Sequence, residues 1–278
     1  MIKIFISVRN RLGMTKKCIE AIKRHSKLKH FIYVYNNASN YRLPEHFEYF
    51  SKMYMDQKID QVTFTTEHST FNAFSKASTC NFFGLQHEQD PNKDKYLFLV
   101  IMDNDMLVTP KWDLKLRSGW EYVAKNKMKN IKVISQRPGG IKNVDPVVHE
   151  IAGGMQARIG MLGGSGLWSV RPNFFKDVGF LDLKALVKQN KRHDQLYWRK
   201  MSTATGGKPY IMGLLTKVAY HCGPLAGSIC NRLTRGKNNP KWKNDGIKFA
   251  EADKKIEDMS FDEFYKSVVK DERVKRGW

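Results

Sequence analysis

The stretch "YLFLVIMDNDMLVTP" (96–110) constrains this chain more than any other. Residues 96–102 are apolar without interruption, and the run is far too short to span a membrane. A strand apolar at every position must be covered on both faces, which places it in the middle of a mostly parallel sheet. Two carboxylates, Asp103 and Asp105, follow at once, separated only by Asn104. Acids that close together at the end of a buried strand repel each other unless something positive sits between them.

The segments before this strand repeat one pattern. "KIFISV" (3–8) is β-branched and aromatic, and in the following "RNRLGMTKKCIEAIKRHS" apolar residues recur at Leu12, Cys18, Ile19 and Ile22, at helical spacing. "HFIYVYNNASN" (30–40) is a second strand ending in turn formers, and "QVTFTTE" (61–67) is a third. "TFNAFSKASTCNFFGLQHE" then predicts a helix with Phe71, Phe74, Ala77 and Phe82 on its apolar face. Strands alternating with helices predict an α/β domain with right-handed crossovers. In such sheets ligands bind beyond the carboxyl ends of the strands. Residues 7–11, 36–40 and 103–105 occupy that position, so three loops are expected to converge on one cleft.

Beyond the acids, "WDLKLRSGWEYVAKNK" reads as a helix and "IKVISQRPGG" as a strand and turn. Residues 139–166 are glycine-rich and aperiodic, and are expected to form loop around the cleft. "LWSVRPNFFKDVGFLD" reads as a strand and short helix, "HDQLYWRKM" as a helix, and "KPYIMGLLTKVAYHCG" as one closing strand. The reading divides the chain into a domain over 1–225 and a basic, helical C-terminal extension over 226–278 that packs on or near the active site.

With 278 residues and 41% hydrophobic content the chain can bury a large core. The opening "MIKIFISVRNR" has too short an apolar stretch for a signal peptide, and no apolar run is long enough for a membrane span. A cytoplasmic protein is expected. Cys18, Cys80, Cys222 and Cys230 form no C-x-x-C pair, so a disulfide framework or zinc ribbon is not indicated. The net charge of +21 suits a polyanionic partner: a nucleic acid, an anionic membrane surface or an acidic polymer. Lysine outnumbers arginine 34 to 14, and such lysines can also serve solubility alone.

A divalent metal carrying a diphosphate would neutralise the two acids. Oxygen ligands suit Mg²⁺ or Mn²⁺, and the metal in turn stabilises charge on phosphate oxygens. The alternative is a solvated turn in which an aspartate caps a helix; the apolar strand before the acids and Pro110 after them favour the functional reading.

Five segments in order resemble the family 2 type glycosyltransferases of the GT-A fold: "IFISVRNRLGMTKKCIEAI", "YVYNNAS", "LVIMDNDMLVTPKWD", "LWSVRPNFFKDVGFLD" and "HDQLYWRKM". The resemblance spans roughly residues 2–223. It implies that Ser7, Val8 and Arg9 lie against the base and ribose, and that Asn36 stands where the family usually has an aspartate, which leaves the nucleotide less defined. It makes Asp103-Asn104-Asp105 the D-x-D motif, with Asp105 a metal ligand and Asp103 a partner of the ribose or of a metal-bound water. Asp194 matches the general base, with His193 in place of the usual Glu before it. His221 matches a late histidine that completes the metal shell in some relatives. Gly163, Gly164 and Gly166 would let the backbone approach the sugar, Gly164 most directly, or serve only a tight turn.

The chemistry so implied is displacement at the anomeric carbon of a nucleotide-diphosphate sugar, a UDP-sugar being expected, with Mn²⁺ or Mg²⁺ as cofactor. A single base facing the leaving group implies inversion. Small, very basic enzymes of this kind resemble bacteriophage DNA glycosyltransferases acting on hydroxymethylpyrimidines, which makes DNA the expected partner. The rival acceptor is a lipid-linked or surface saccharide, and a third reading is a nucleotide-binding module without catalysis. Asp194 could otherwise only cap its helix, His221 could be an ordinary near-core histidine, and "RLTRGKNNPKWK" could be a linker as well as a lid or a nucleic-acid contact.

Overall fold

The computed structural model describes residues 1–37, 39, 41–65, 72–136, 146–161, 166–182, 193–226, 240–271 and 274. The elements are β1 (Ile2–Val8), α1 (Leu12–His25), β2 (His30–Asn37), α2 (Leu43–Met55), β3 (Gln61–Thr65), α3 (Asn72–Glu88), β4 (Leu99–Asp103) and β5 (Met106–Val108). They continue with α4 (Trp112–Lys125), β6 (Val133–Gln136), β7 (His149–Ile151), β8 (Met155–Gly160), β9 (Leu167–Val170), α5 (Phe174–Val178), α6 (His193–Ala204), β10 (Ile211–Leu214), β11 (Ala219–His221), α7 (Gly223–Ala226), α8 (Pro240–Asp258) and α9 (Phe261–Lys270).

The described strands build a 9-stranded sheet in the order β3-β2-β1-β4-β9-β6-β10-β8-β7. Strands β3, β2, β1, β4, β6, β10 and β7 run one way and only β9 and β8 run the other, so the sheet is mostly parallel. As its composition requires, β4 lies inside the sheet, between β1 and β9. Its residues alternate between two cores. Val100 and Met102 join Ile4, Ile6, Met14, Ile19 and Trp112 on one face; Leu99 and Ile101 join Phe5, Phe83, Phe175 and Tyr197 on the other. Each such side chain contributes about 1.5–3 kcal/mol on burial, which fixes the register of the central strands.

A buried ion pair sits inside this frame. Lys3, inside β1, reaches Asp90 at 2.7 Å and lies 4.4 Å from the Tyr33 ring, and the Tyr96 hydroxyl donates to the same carboxylate. Burial lowers the Lys3 pKa and Asp90 works against that shift.

The polypeptide from 240 onward is built into the first face. Phe261, Phe264 and Val268 of α9 share the core of β1 and α1. From α8, the buried Asp253 accepts hydrogen bonds from the backbone N–H groups of Gly13 and Met14 at 3.1 and 3.0 Å, covering two donors that the first turn of α1 cannot satisfy itself. Burial raises the Asp253 pKa and those two bonds restrain the rise.

Three elements depart from expectation. The stretch 139–166 is not all loop: β7 and β8 form an edge hairpin, closed through Gly153 and Gly154 at φ 78° and 71°, a conformation that favours glycine. The glycines that masked the strand signal are the ones that make the turn. The closing segment 208–223 is two strands, since β10 stays in the large sheet while β11 leaves it to pair with β5. Helix α2 joins β2 to β3, where no helix was expected.

A Cβ added at Gly13 would sit 2.1 Å from the Asp253 carbonyl oxygen and 2.9 Å from the Glu257 nitrogen, both backbone atoms that cannot turn aside. Gly13→Ala should therefore push α8 from α1 and destabilise the fold by more than about 2 kcal/mol. Asp253→Ala should cost about 1–3 kcal/mol through its orphaned N–H groups. Urea unfolding of both variants checks this, and equal stability to wild type would contradict it.

Candidate donor-binding site

Strand pairing brings the three expected loops together. Ser7 stands opposite Asp103 between β1 and β4, and Val8 stands opposite Asn36 between β1 and β2. The half-buried Ser7 and Arg9, the buried Val8 and Asn36, and the D-x-D residues thus share one edge of the sheet.

The middle residue of the motif is the fastener. Asn104 is buried; its amide nitrogen donates to the Asn10 carbonyl at 3.1 Å and to Thr15 Oγ1 at 2.8 Å, and its backbone N–H donates to the Ser7 carbonyl at 3.2 Å. Its Oδ1 accepts from Arg11 Nη2 at 3.1 Å. Asn10 and Arg11 both adopt left-handed backbone, φ 55° and 56°. That conformation costs a non-glycine residue of order 1 kcal/mol and persists where surrounding contacts over-determine it.

Arg11 is aimed by this turn at Asp105. Its Nη1 lies 2.6 Å from Oδ2 of the buried carboxylate, and His221 Nε2 lies 3.4 Å from the same oxygen. β11 carries His221 to this place by pairing with β5, in the register His221 opposite Met106. Although burial works the other way, Arg11 and His221 hold the Asp105 pKa well below the usual carboxylate range. Burial likewise opposes a charge on His221, but the Asp105 carboxylate outweighs it and raises the histidine's pKa. Gly166 and Gly223 leave room for this packing. A Cβ at Gly166 would meet Met106 Sδ at 2.8 Å, and one at Gly223 would meet His221 Cε1 at 2.9 Å and Asp105 Oδ2 at 3.0 Å.

A divalent metal fits these residues. Asp105 Oδ1 is buried and finds no hydrogen-bond partner among the described residues, and an imidazole stands beside the other oxygen. Carboxylate and imidazole suit Mn²⁺ and, less well, Mg²⁺. Among the described residues no group of three His, Cys, Asp or Glu side chains is placed to hold an ion, so Asp105 and His221 are a partial ligand set. Cys222, buried next to His221, is a free thiol whose pKa burial pushes up.

The amide of Asn36 is engaged within the fold. Its Oδ1 accepts from the Ser39 N–H at 3.2 Å, which orients Nδ2 toward His46 Nδ1 at 3.3 Å. An amide nitrogen only donates, so that imidazole is neutral; burial lowers its pKa to about 4. Asp194 lies in the first turn of α6, but its side chain falls outside the described residues, as do Gly163 and Gly164.

Two lysine- and arginine-rich stretches are not free basic patches beside the acids. In "RNRLGMTKK", Arg11 faces Asp105, Lys16 pairs with Glu257 at 2.6 Å, and Lys17 donates to the Met259 carbonyl. "KNKMKNIK" follows α4 and precedes β6, so it lies at the opposite edge of the sheet from the acids. The clusters "KQNKR" and "RLTRGKNNPKWK" fall almost wholly outside the described residues. A groove of about 660 Å³ lined by His87, Lys93, Trp120 and Arg171 also lies at that far edge, away from the acids.

The sequence matches no family model and no curated relative. Its likeness is to solved structures. The structure of S. aureus TarS 1–349 is 12% identical with a TM-score of 0.50, over 90% of this chain and 71% of that one. The mannosyltransferase PcManGT from Pyrobaculum calidifontis, in complex with GDP-Man and Mn²⁺, is 11% identical with a TM-score of 0.53, over 88% of this chain. The fold is the GT-A fold. This chain spans 64% of the mannosyltransferase's length, less than two thirds of it. Within the GT-A frame, Asn104 and Arg11 are the site residues whose contacts sequence reasoning missed or assigned only in passing. Of the two left-handed residues, Asn10 is of a type that tolerates that conformation, while Arg11 carries no such signal in the sequence.

Protonation of His46 breaks its contact with Asn36. The unfolded imidazole titrates near 6.5 and the folded one near 4, so the unfolded state binds more protons in that window and stability is lost as pH falls through it. Between pH 7 and pH 5 this histidine should account for about 2 kcal/mol. Comparing wild type with His46→Gln by urea unfolding at both pH values isolates the share; an identical pH dependence in the two proteins would refute it.

Proposed function

We propose that the chain is an inverting, metal-dependent glycosyltransferase that moves a sugar from a nucleotide-diphosphate sugar to a hydroxyl on a polyanionic acceptor. The observation that carries this reading is the buried Asp105 carboxylate at the carboxyl end of β4, one oxygen without a partner among the described residues and the other beside His221. The GDP-Man and Mn²⁺ held by a protein of the same fold support it. Asp105 and His221 would hold Mn²⁺ or Mg²⁺, which when bound stabilises negative charge on the leaving diphosphate. Ser7, Val8, Arg9 and Asn36 line the nucleotide side, and Asp103, opposite Ser7, faces the ribose. UDP is the first nucleotide to test, Asn36 leaving the choice open.

Asp194, at the start of α6, is assigned as general base: its carboxylate takes the proton of the acceptor hydroxyl as that oxygen attacks the anomeric carbon. Gly164, which precedes β9 in the sequence, is assigned to the sugar, since a glycine lets a backbone approach closely. We assign residues 1–225 to the transferase unit and 226–278 to a basic extension, whose helices α8 and α9 pack against α1 and the core. For the acceptor, the charge of +21 supports a polyanion, and we assign hydroxymethylpyrimidine in DNA. No described helix is long and apolar enough to cross a membrane.

Asp105→Asn should abolish metal-dependent nucleotide binding, measured calorimetrically with UDP and GDP, and leave the circular dichroism unchanged. Asp194→Asn should keep donor binding and lower turnover by about 10²-fold or more. Incubation with Mn²⁺, a panel of nucleotide sugars and either hydroxymethylated DNA, unmodified DNA or a lipid-linked saccharide, followed by mass analysis, identifies the acceptor. Transfer to the saccharide alone would replace the DNA assignment, and no transfer or donor hydrolysis under any condition would favour a binding module.

A further inference from the structure

The positive charge closest to Asp105 belongs to the protein itself. Arg11 Nη1 lies 2.6 Å from Asp105 Oδ2 while Nη2 reaches Asn104 Oδ1 at 3.1 Å, so the guanidinium forks across the second and third residues of the D-x-D motif. Nothing in this is incidental to a flexible surface chain. Arg11 is the N-cap of α1 in left-handed backbone, preceded by a second left-handed residue, Asn10. Asn10 is fixed in turn by the Ser39 hydroxyl, which accepts from its N–H, and by its own Oδ1, which accepts from the Tyr41 N–H. The carbonyl of Arg11 accepts from both the N–H and the hydroxyl of Thr15. A strained turn held from several sides delivers one cation to one carboxylate.

That carboxylate is the one assigned above to the metal, and because His221 Nε2 stands on the Oδ2 side, an ion shared by Asp105 and His221 would sit against the oxygen that Arg11 holds, where a guanidinium and a divalent ion repel strongly. We propose that Arg11 is a resident counter-ion of Asp105 that the divalent metal displaces, so that metal binding and the Arg11–Asp105 contact are mutually exclusive. This rests on the metal reading of the site. Before the metal arrives, Arg11 keeps a buried acid from standing uncompensated and keeps Asp105 and Asn104 aligned. Its cost is metal affinity, because the ion must break a short, charge-assisted contact to enter. The two events are linked, and the penalty works equally in both directions.

Mn²⁺ binding to the full chain, followed by electron paramagnetic resonance with and without UDP, tests the proposal. Arg11→Met should bind Mn²⁺ about tenfold more tightly than wild type, the scale of a typical coupling. Arg11→Lys, which keeps the charge but loses the fork to Asn104, should fall between them. Equal or weaker Mn²⁺ binding by a folded Arg11→Met protein overturns the proposal while leaving the metal site in place. Absence of Mn²⁺ binding in all three proteins, with UDP present, overturns the metal reading and this proposal with it. Should Arg11→Met fail to fold, the native protein still decides: the Arg11 Nε–H resonance, identified by its loss in Arg11→Lys, should shift as Mg²⁺ saturates the site. A resonance unmoved at saturation overturns displacement.

Discussion

A carboxylate buried at the end of an apolar strand is the constraint around which this molecule is arranged. Asp105 is excluded from water, and a buried charge without compensation costs several kcal/mol. The protein answers with Arg11 from the β1–α1 turn and His221 from β11. Neither is adjacent to Asp105 in sequence, so each must be carried there by a separate piece of architecture. The turn is carried by its left-handed pair of residues and by Asn104; His221 is carried by a two-stranded sheet whose partner strand, β5, begins directly after the acid.

The same logic extends to the chain's end. Helix α1 begins immediately after Arg11, and its first N–H groups are satisfied by Asp253 of α8. Glu257 of α8 pairs with Lys16, inside α1, and with Arg42, the N-cap of α2, and its pKa is lowered to about 2 because those pairs outweigh its burial. A helix from the far end of the sequence thus clamps the turn that holds the site's arginine. The apolar contacts of α9 with the core of β1 anchor that clamp.

This also bears on how the charge of the chain should be read. Net charge describes the field at a distance, whereas individual lysines and arginines have local work. Around α1 much of the apparent basic patch is neutralised by Asp105 and Glu257, and the cluster after α4 faces away from the acids. A polyanion approaching the cleft therefore meets fewer free cations there than a count along the sequence implies.

How much was legible beforehand follows from the range of the interactions involved. The central place of β4, the alternation of strand and helix, and the arrival of residues 7–11, 36 and 103–105 at one edge are properties of hydrophobic pattern and right-handed crossover, which act over a few residues at a time. They could be read from the sequence by itself, as could the resemblance to GT-A enzymes. The hairpin β7–β8 was hidden because its turn glycines resemble loop, and the splitting of the closing segment was hidden because nothing local in the sequence says that β10 and β11 pair with different strands. What only the tertiary structure decided is where charge meets charge. Arg11 and Asp105 are 94 residues apart, and Gly13 and Asp253 are 240 apart. No local pattern selects such a pair, because its energy exists only once burial has removed the water that would otherwise screen it.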